Sequence, residues 1–165
     1  MKIISEAPRE RVRLLKLVKL YALYSILSAI LCSIIVGVYL FSEKPHRSIL
    51  YLVGTFLFVT TYLMHLDFLD RLRRTRFNLY WMFFRRYSPP FGSYGFLHIM
   101  ISLVLAVADV LKGGYGVLAA LIAVKGLFEI ILYGEIRSLM VLSYLHFELT
   151  MNNIDLLVII DPFSK

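Results

Sequence analysis

Four apolar runs make up about half of this chain and constrain its fold more than any other feature. We place them at residues 20–41, 49–66, 94–111 and 116–133. A helix of about 20 predominantly apolar residues is long enough to cross a hydrocarbon core of about 30 Å. The hydrophobic share is 59% and the charged share 18%, whereas soluble domains have about 45–50% and about 25%. The sequence therefore predicts an all-α integral membrane protein with four transmembrane helices.

The segments outside these runs are short, which predicts one transmembrane domain with two flanking segments. Residues 1–19 form a basic N-terminal segment that is cytosolic or lies at the membrane surface, residues 20–149 form the four-helix domain, and residues 150–165 form a tail. Helical spacing of apolar residues after Tyr133 predicts that the last helix extends as far as residue 149. Within the tail, residues 154–160 have the length and β-branched content of one strand, which would need a partner edge. A tail without fixed structure is the alternative.

Basic residues are distributed unevenly among the connections. The connection between the second and third runs carries six arginines, whereas the first carries Lys44 and Arg47 and the third only Lys112. Cytoplasmic segments of membrane proteins are enriched in Lys and Arg, and the N-terminal segment is also basic, so we expect an N-in/C-in bundle. We expect these six arginines to contact lipid headgroups: Arg71, Arg73, Arg74, Arg76, Arg85 and Arg86.

The same connection is also rich in aromatic residues, from Phe77 to Tyr94. Aromatic and arginine side chains together are typical of the membrane–water interface, so we predict an interfacial cytosolic connection. Cations that adjoin apolar runs favour anionic lipid over nucleic acid, and no nucleic-acid partner is predicted despite the formal charge of +7.

Three residues that carry a charge at pH 7 lie inside the last two runs, namely Asp109, Lys125 and Glu129. A charge near the bilayer centre costs about 2.5–3.5 kcal/mol, so such residues normally face the bundle interior and pair. In an antiparallel hairpin Asp109 points down its helix and Lys125 up toward it, which predicts an Asp109–Lys125 contact. Glu129 follows Lys125 by one turn on the same face and is the third predicted member of this intramembrane polar network.

Histidines and carboxylates also gather at the predicted cytosolic ends of the second, third and fourth runs. This cluster consists of His65, Asp67, Asp70, His98, Glu135, His146 and Glu148. One hypothesis is a proton relay or cation path that feeds the polar network. Another is a metal site or a b-type haem held by His65 and His98. The spacing of these residues matches no metal motif and lacks the Glu-x-x-His pairs of carboxylate-bridged bundles. We therefore predict no cofactor and keep the metal or haem site as an alternative.

The sequence contains no hydrolase or nucleotide-enzyme signature, and we do not expect catalysis. A stripe of small residues in the first run, Ser25, Ala29, Ser33 and Gly37, favours close helix packing. Our first hypothesis is a non-catalytic accessory or assembly subunit of a larger membrane complex or a homo-oligomer, with the bilayer and other subunits as partners. The alternative is a channel or transporter subunit with a path lined by Asp109, Lys125 and Glu129, and a haem or metal subunit is third. The expected location is the plasma membrane of a prokaryote or an organelle membrane.

Overall fold

The computed structural model describes the backbone of residues 2–42, 46–76, 79–87 and 90–160, and the side chains of residues 10–42, 46–76, 79–87 and 90–151. In this part of the chain the secondary structure is helical and no strand occurs, which confirms the all-α prediction. The helices are α1 (Lys2–Leu40), α2 (Arg47–Arg74), α3 (Tyr80–Tyr87), α4 (Phe91–Lys112) and α5 (Gly116–Ile160).

Four of these helices, α1, α2, α4 and α5, are long and apolar enough to cross a membrane, as predicted. Their ends lie beyond the apolar runs, since α1 has 39 residues and α5 has 45. Residues 2–19 of the basic N-terminal segment are therefore helical, and so are five of the six arginines, three in α2 and two in α3. Helix α5 also continues to Ile160, so the prediction of a strand at residues 154–160 was wrong. A helix satisfies its own backbone hydrogen bonds, whereas a lone strand does not; residues 161–165 lie outside the described part.

The four long helices pack in the order α2, α1, α5 and α4. Extensive contacts join α1 to α2 and α4 to α5, and α1 also packs against α5. In contrast, α2 and α4 scarcely touch. Their rings meet at one end, where Phe91 lies 5.6 Å from His65 and 6.0 Å from Phe68 between ring centroids. A gap therefore remains between α2 and α4 along the rest of the bundle.

The aromatic connection forms α3, which packs against the long helices. Tyr80, Phe83 and Phe84 are buried, and the Tyr80 hydroxyl donates to the Leu72 carbonyl at 3.1 Å. Burial raises the pKa of the Tyr80 phenol, which keeps this donor protonated. On the other side of α3 the Trp81 ring lies against Tyr144 and Phe147 of α5, with centroids 5.5 and 5.9 Å away. Much of the aromatic segment that was predicted to lie at the membrane interface is thus packed against other helices of the protein.

The arginines gather at the same end of the bundle as the first part of α1. Arg11 donates to the Arg73 carbonyl at 3.2 Å, and Arg13 pairs with Glu135 of α5 at 2.9 Å. The six arginines predicted to contact lipid headgroups are all exposed. Two of them pair within α2, Arg71 with Asp67 and Arg74 with Asp70, each at 2.8 Å. We call this the arginine end.

Candidate functional site

Two glycines bring α4 and α5 into close contact. A Cβ atom on Gly95 would lie 2.7 Å from the Gly126 carbonyl oxygen, and a Cβ atom on Gly126 would lie 2.7 Å from the Gly95 carbonyl oxygen. Only residues without a side chain allow this approach. Gly126 directly follows Lys125, and His98 lies one turn after Gly95. The glycine contact therefore sets His98 of α4 beside the charged residues of α5.

The carboxylate of Glu129 is the centre of the site. It accepts hydrogen bonds from three side chains on three elements of the fold: the Lys125 ammonium one turn earlier on α5, the Tyr21 hydroxyl of α1 at 3.0 Å, and His98 Nδ1 of α4 at 2.6 Å. The side chains of Lys125 and Glu129 are only 3% and 4% exposed. A buried carboxylate is stabilised when its lone pairs are occupied by donors and its charge is matched by a cation.

The proton positions follow from the chemistry of the partners. A carboxylate only accepts, so His98 Nδ1 carries a hydrogen. The Lys125 Nζ atom lies 3.4 Å from both His98 ring nitrogens, at the limit of hydrogen bonding. The charges of Lys125 and Glu129 cancel, so the whole site has no net charge when His98 is neutral. The site is therefore polar but electrically balanced.

His65 of α2 completes the site without touching the carboxylate. Its Nδ1 donates to the Thr61 carbonyl at 2.6 Å, and its ring meets the Tyr21 ring edge to face, with centroids 4.3 Å apart. The residue is only 3% exposed. The other ring nitrogen, Nε2, is buried and has no hydrogen-bond partner among the described residues. Since Nδ1 carries the hydrogen, Nε2 of the neutral ring is an acceptor.

A cavity of about 260 Å³ lies against these residues in the gap between α2 and α4. His65, His98, Lys125 and Glu129 contribute its polar wall, and most of the remaining lining is apolar or aromatic. Its rim carries exposed side chains of both helices, including Met64 of α2 and Leu97 of α4. In a membrane these rim side chains would face acyl chains.

The site lies well inside the helices that are long and apolar enough to cross a membrane. His98 is about 10 Å along α4 from its first residue, and Lys125 is about 13 Å along α5, at about 1.5 Å per residue. An apolar cluster borders the site on each side. The cluster toward the arginine end includes Leu14, Leu72 and Leu139, and the cluster toward the α4–α5 turn includes Phe58 and Ile122. The site therefore lies between two packed apolar clusters.

Asp109 is not part of this network, and the predicted Asp109–Lys125 contact was wrong. Asp109 lies only about 4–5 Å from the end of α4, whereas Lys125 lies about 13 Å into α5, so the two are at different depths. The Asp109 carboxylate instead accepts the Tyr115 backbone N–H at 2.6 Å, and its backbone carbonyl accepts the Gly113 N–H at 2.7 Å. Gly113 and Gly114 have φ of 66° and 89°, which identifies a glycine turn just before α5. The hydrogen bonds accepted by Asp109 stabilise this turn.

Replacing Asp109 by alanine is expected to lower the free energy of unfolding by about 1 kcal/mol, the usual cost of losing a side-chain cap. Asp109→Asn keeps the acceptor oxygen and should cost less. The measurement is denaturant unfolding of the purified protein in micelles. A loss from Asp109→Ala as large as that from Lys125→Met would instead connect Asp109 to the buried charges.

Most of the predicted histidine and carboxylate cluster lies away from the site. Only His65 and His98 join Lys125 and Glu129. Asp67 and Asp70 pair with arginines on the surface of α2, and Glu135 pairs with Arg13. His146 and Glu148 lie at least 17 residues beyond Glu129 on α5, about 25 Å along the helix, and Glu148 accepts from the Tyr144 hydroxyl.

Tyr21 is the site residue that the sequence analysis missed. It lies four residues before Ser25, so it continues the spacing of the small-residue stripe toward the N-terminus. Ser25 and Ala29 are buried, whereas Ser33 is exposed and Gly37 faces open space. The buried face of α1 is therefore shifted toward Tyr21. The signal in the sequence was the four-residue spacing between Tyr21 and Ser25.

No group of three or more His, Cys, Asp or Glu side chains in the described ranges is arranged to hold a metal ion. The haem alternative, with His65 and His98 as ligands, stays a prediction. A Soret band in the visible spectrum of protein purified from its native membrane would support it. In comparisons with protein-family models, curated proteins and solved structures, nothing matches this chain, so its function has to be inferred from the site itself.

Proposed function

We propose that this chain is a transport subunit that exchanges a proton at the membrane-embedded site formed by Tyr21, His65, His98, Lys125 and Glu129. The observation that carries this proposal is the convergence of titratable side chains from all four long helices on one buried site. Burying this many ionisable groups within lipid is costly, and such groups commonly belong to ion pathways and proton relays. Asp109, which the sequence assigned to the path, has no place in this proposal.

The apolar clusters on both sides of the site favour a carrier over an open channel. Secondary transporters bind their substrate inside the membrane and expose it to one side at a time. In the present arrangement apolar clusters lie on both sides of the site. Movement of the α2–α1 pair against the α4–α5 pair would change that access, because α2 and α4 scarcely contact each other.

The proposed orientation is N-in/C-in, with the arginine end on the cytosolic side. Support comes from the contacts of Arg11 and Arg13 with the ends of α2 and the middle of α5, which gather the basic N-terminal segment and the six arginines at one end. At the other end the described basic side chains are Arg47 and Lys112. This asymmetry is the one expected for cytosolic segments.

Proton flux tests the proposal. Proteoliposomes with an internal pH dye should dissipate an imposed pH gradient faster than empty liposomes, and Glu129→Gln should reduce the rate at least tenfold because the amide cannot take up a proton. Lys125→Met should also abolish the flux. The matched control is Glu10→Gln, which removes a carboxylate near the arginine end and should transport normally. Flux no faster than in empty liposomes, or full flux through Glu129→Gln, would refute the proposed function.

An accessory or assembly subunit is the second candidate, and the gap between α2 and α4 is the observation that favours it. Most side chains of α4 are exposed in the single chain, and Phe91, Gly95 and Ser102 are its buried residues. A helix of another subunit or of a second copy could fill the gap. Stoichiometric co-purification with other membrane proteins from native membrane would support this role, whereas a monomer that is active alone would contradict it.

A further inference from the structure

Helix α3 has one face buried in the protein and one face exposed at the arginine end. The buried face consists of three rings, Tyr80, Phe83 and Phe84. Met82, Arg85 and Arg86 are exposed, and their spacing of three and four residues places them on one face of the helix. An exposed face that combines apolar and basic side chains is typical of a helix that lies at a membrane surface.

The position of α3 along the bundle matches the depth of lipid headgroups. Its Phe83 ring lies 5.7 Å from the Phe68 ring of α2, and its Tyr80 hydroxyl donates to the Leu72 carbonyl. Phe68 and Leu72 follow the apolar run 49–66 by about 3 and about 9 Å along α2, at about 1.5 Å per residue. The headgroup layer adds about 5–8 Å on each side of the hydrocarbon core. Helix α3 therefore lies at headgroup level when that run crosses the core.

Ion pairing divides the six arginines of this end into two groups. Arg71 and Arg74 have carboxylate partners on α2 at 2.8 Å. The other four have no carboxylate partner in the part of the chain whose side chains are described. They are Arg73, Arg76, Arg85 and Arg86, and all are exposed. A guanidinium without a carboxylate can offer two parallel N–H donors to a phosphate, so these four arginines are available to an anion.

We propose that the arginine end binds anionic phospholipid headgroups in preference to zwitterionic ones, principally through Arg85 and Arg86 on the exposed face of α3. Arg73 and Arg76 add positive charge at the same end. Met82, one turn before Arg85 and Arg86, is 52% exposed, and its apolar surface favours a lipid over a soluble acidic partner. The inference does not depend on proton transport, since none of these residues belongs to the buried site.

Trp81 reports on the lipid beside α3, because it is the single tryptophan of the chain and lies one turn before Arg85. The full chain is placed in bilayers of phosphatidylglycerol and phosphatidylcholine, in which one lipid or the other carries brominated acyl chains. Bromine quenches tryptophan fluorescence at short range, so the two quenching curves give the relative affinity of the two lipids next to α3. We expect phosphatidylglycerol to bind about fivefold more tightly, which is the effect of one basic residue at an anionic surface. Sodium chloride at about 1 M should largely remove this preference, because it shortens the screening length to about 3 Å.

Substitutions assign the preference to the unpaired arginines. Arg85→Gln combined with Arg86→Gln should bring the relative affinity of the two lipids close to one. Two controls should keep the preference of the wild type. Asp67→Asn combined with Arg71→Gln removes an arginine from the same end without changing the net charge. Lys112→Gln removes one charge from the other end.

The wild type alone can overturn the inference, even if the arginine variants fail to fold. Equal quenching by the two lipids would do so and would leave these arginines to a soluble acidic partner. The absence of quenching by either lipid would do so as well, because α3 would then not reach the bilayer. Among folded variants, a preference that survives Arg85→Gln with Arg86→Gln would contradict the proposal, and so would its loss in the Asp67→Asn with Arg71→Gln control.

Discussion

Replacing Lys125 by methionine alone is expected to lower the free energy of unfolding by about 3 kcal/mol. Lys125 and Glu129 are almost completely buried, and the substitution leaves the carboxylate without its cation. Removing one partner of a buried ion pair costs about 3–5 kcal/mol, because the remaining charge is uncompensated. Tyr21 and His98 still donate to Glu129, which limits the loss to the lower part of that range.

Adding Glu129→Gln to Lys125→Met should recover about 2 kcal/mol of that loss. Glutamine removes the stranded charge. Its amide oxygen can replace Oε2 and accept from His98, while its NH₂ group replaces Oε1 and can donate to the Tyr21 hydroxyl oxygen. The double variant is thus more stable than the single one, an inversion that independent effects would not give. Reversible unfolding in micelles measures all three free energies.

The matched control for this cycle is the exposed pair of Asp67 and Arg71. Arg71→Met should change stability far less than Lys125→Met, because solvent screens a surface ion pair. If Lys125→Met is no more damaging than Arg71→Met, or if the double variant is less stable than Lys125→Met, the buried pair does not have the energetic role described.

Gly126→Ala and Gly95→Ala should each destabilise the protein by about 1–3 kcal/mol, although alanine is normally the better helix former. A new Cβ atom at either position would lie 2.7 Å from a backbone carbonyl oxygen of the facing helix, so α4 and α5 would have to move apart. Overpacking of this kind costs about that amount. The separation should also weaken the bond from His98 to Glu129.

Gly134→Ala is the matched control on the same helix. A Cβ atom there meets nothing within 4 Å, so the variant should gain up to about 1 kcal/mol from helix propensity. Opposite signs at Gly126 and Gly134 are the expected result in thermal unfolding. Equal gains at both positions would show that the helices are not in the close contact described.

The four apolar runs predicted the four long helices because lipid leaves the backbone few alternatives to a helix. The ends of those helices were not predicted. Apolarity marks only the part in the hydrocarbon core, whereas α1 and α2 continue outside it through charged residues. Pairs such as Asp67 with Arg71, one turn apart on α2, support a helix in water but carry no hydrophobic signal.

The candidate site was only partly predictable from the sequence. The spacing of Lys125 and Glu129 by one turn was enough to place them on the same face of α5. The position of His98 could not be read in the same way, since it depends on the approach of Gly95 to Gly126 in three dimensions. Asp109 was assigned to Lys125 because both seemed stranded in lipid, yet the glycine turn offers Asp109 backbone donors at its own depth.

The contact between His98 and Glu129 is the most direct test of the buried network, because it joins two helices at the depth where the site is proposed. Solid-state NMR on the protein in lipid bilayers, with isotope-labelled histidine nitrogens and glutamate carboxyl carbons, measures this contact, and His98→Asn identifies the signal. We predict strong dipolar coupling of His98 Nδ1 to the Glu129 carboxyl, as its 2.6 Å hydrogen bond requires. The absence of that coupling, with a His98 that exchanges freely with water, would contradict the network.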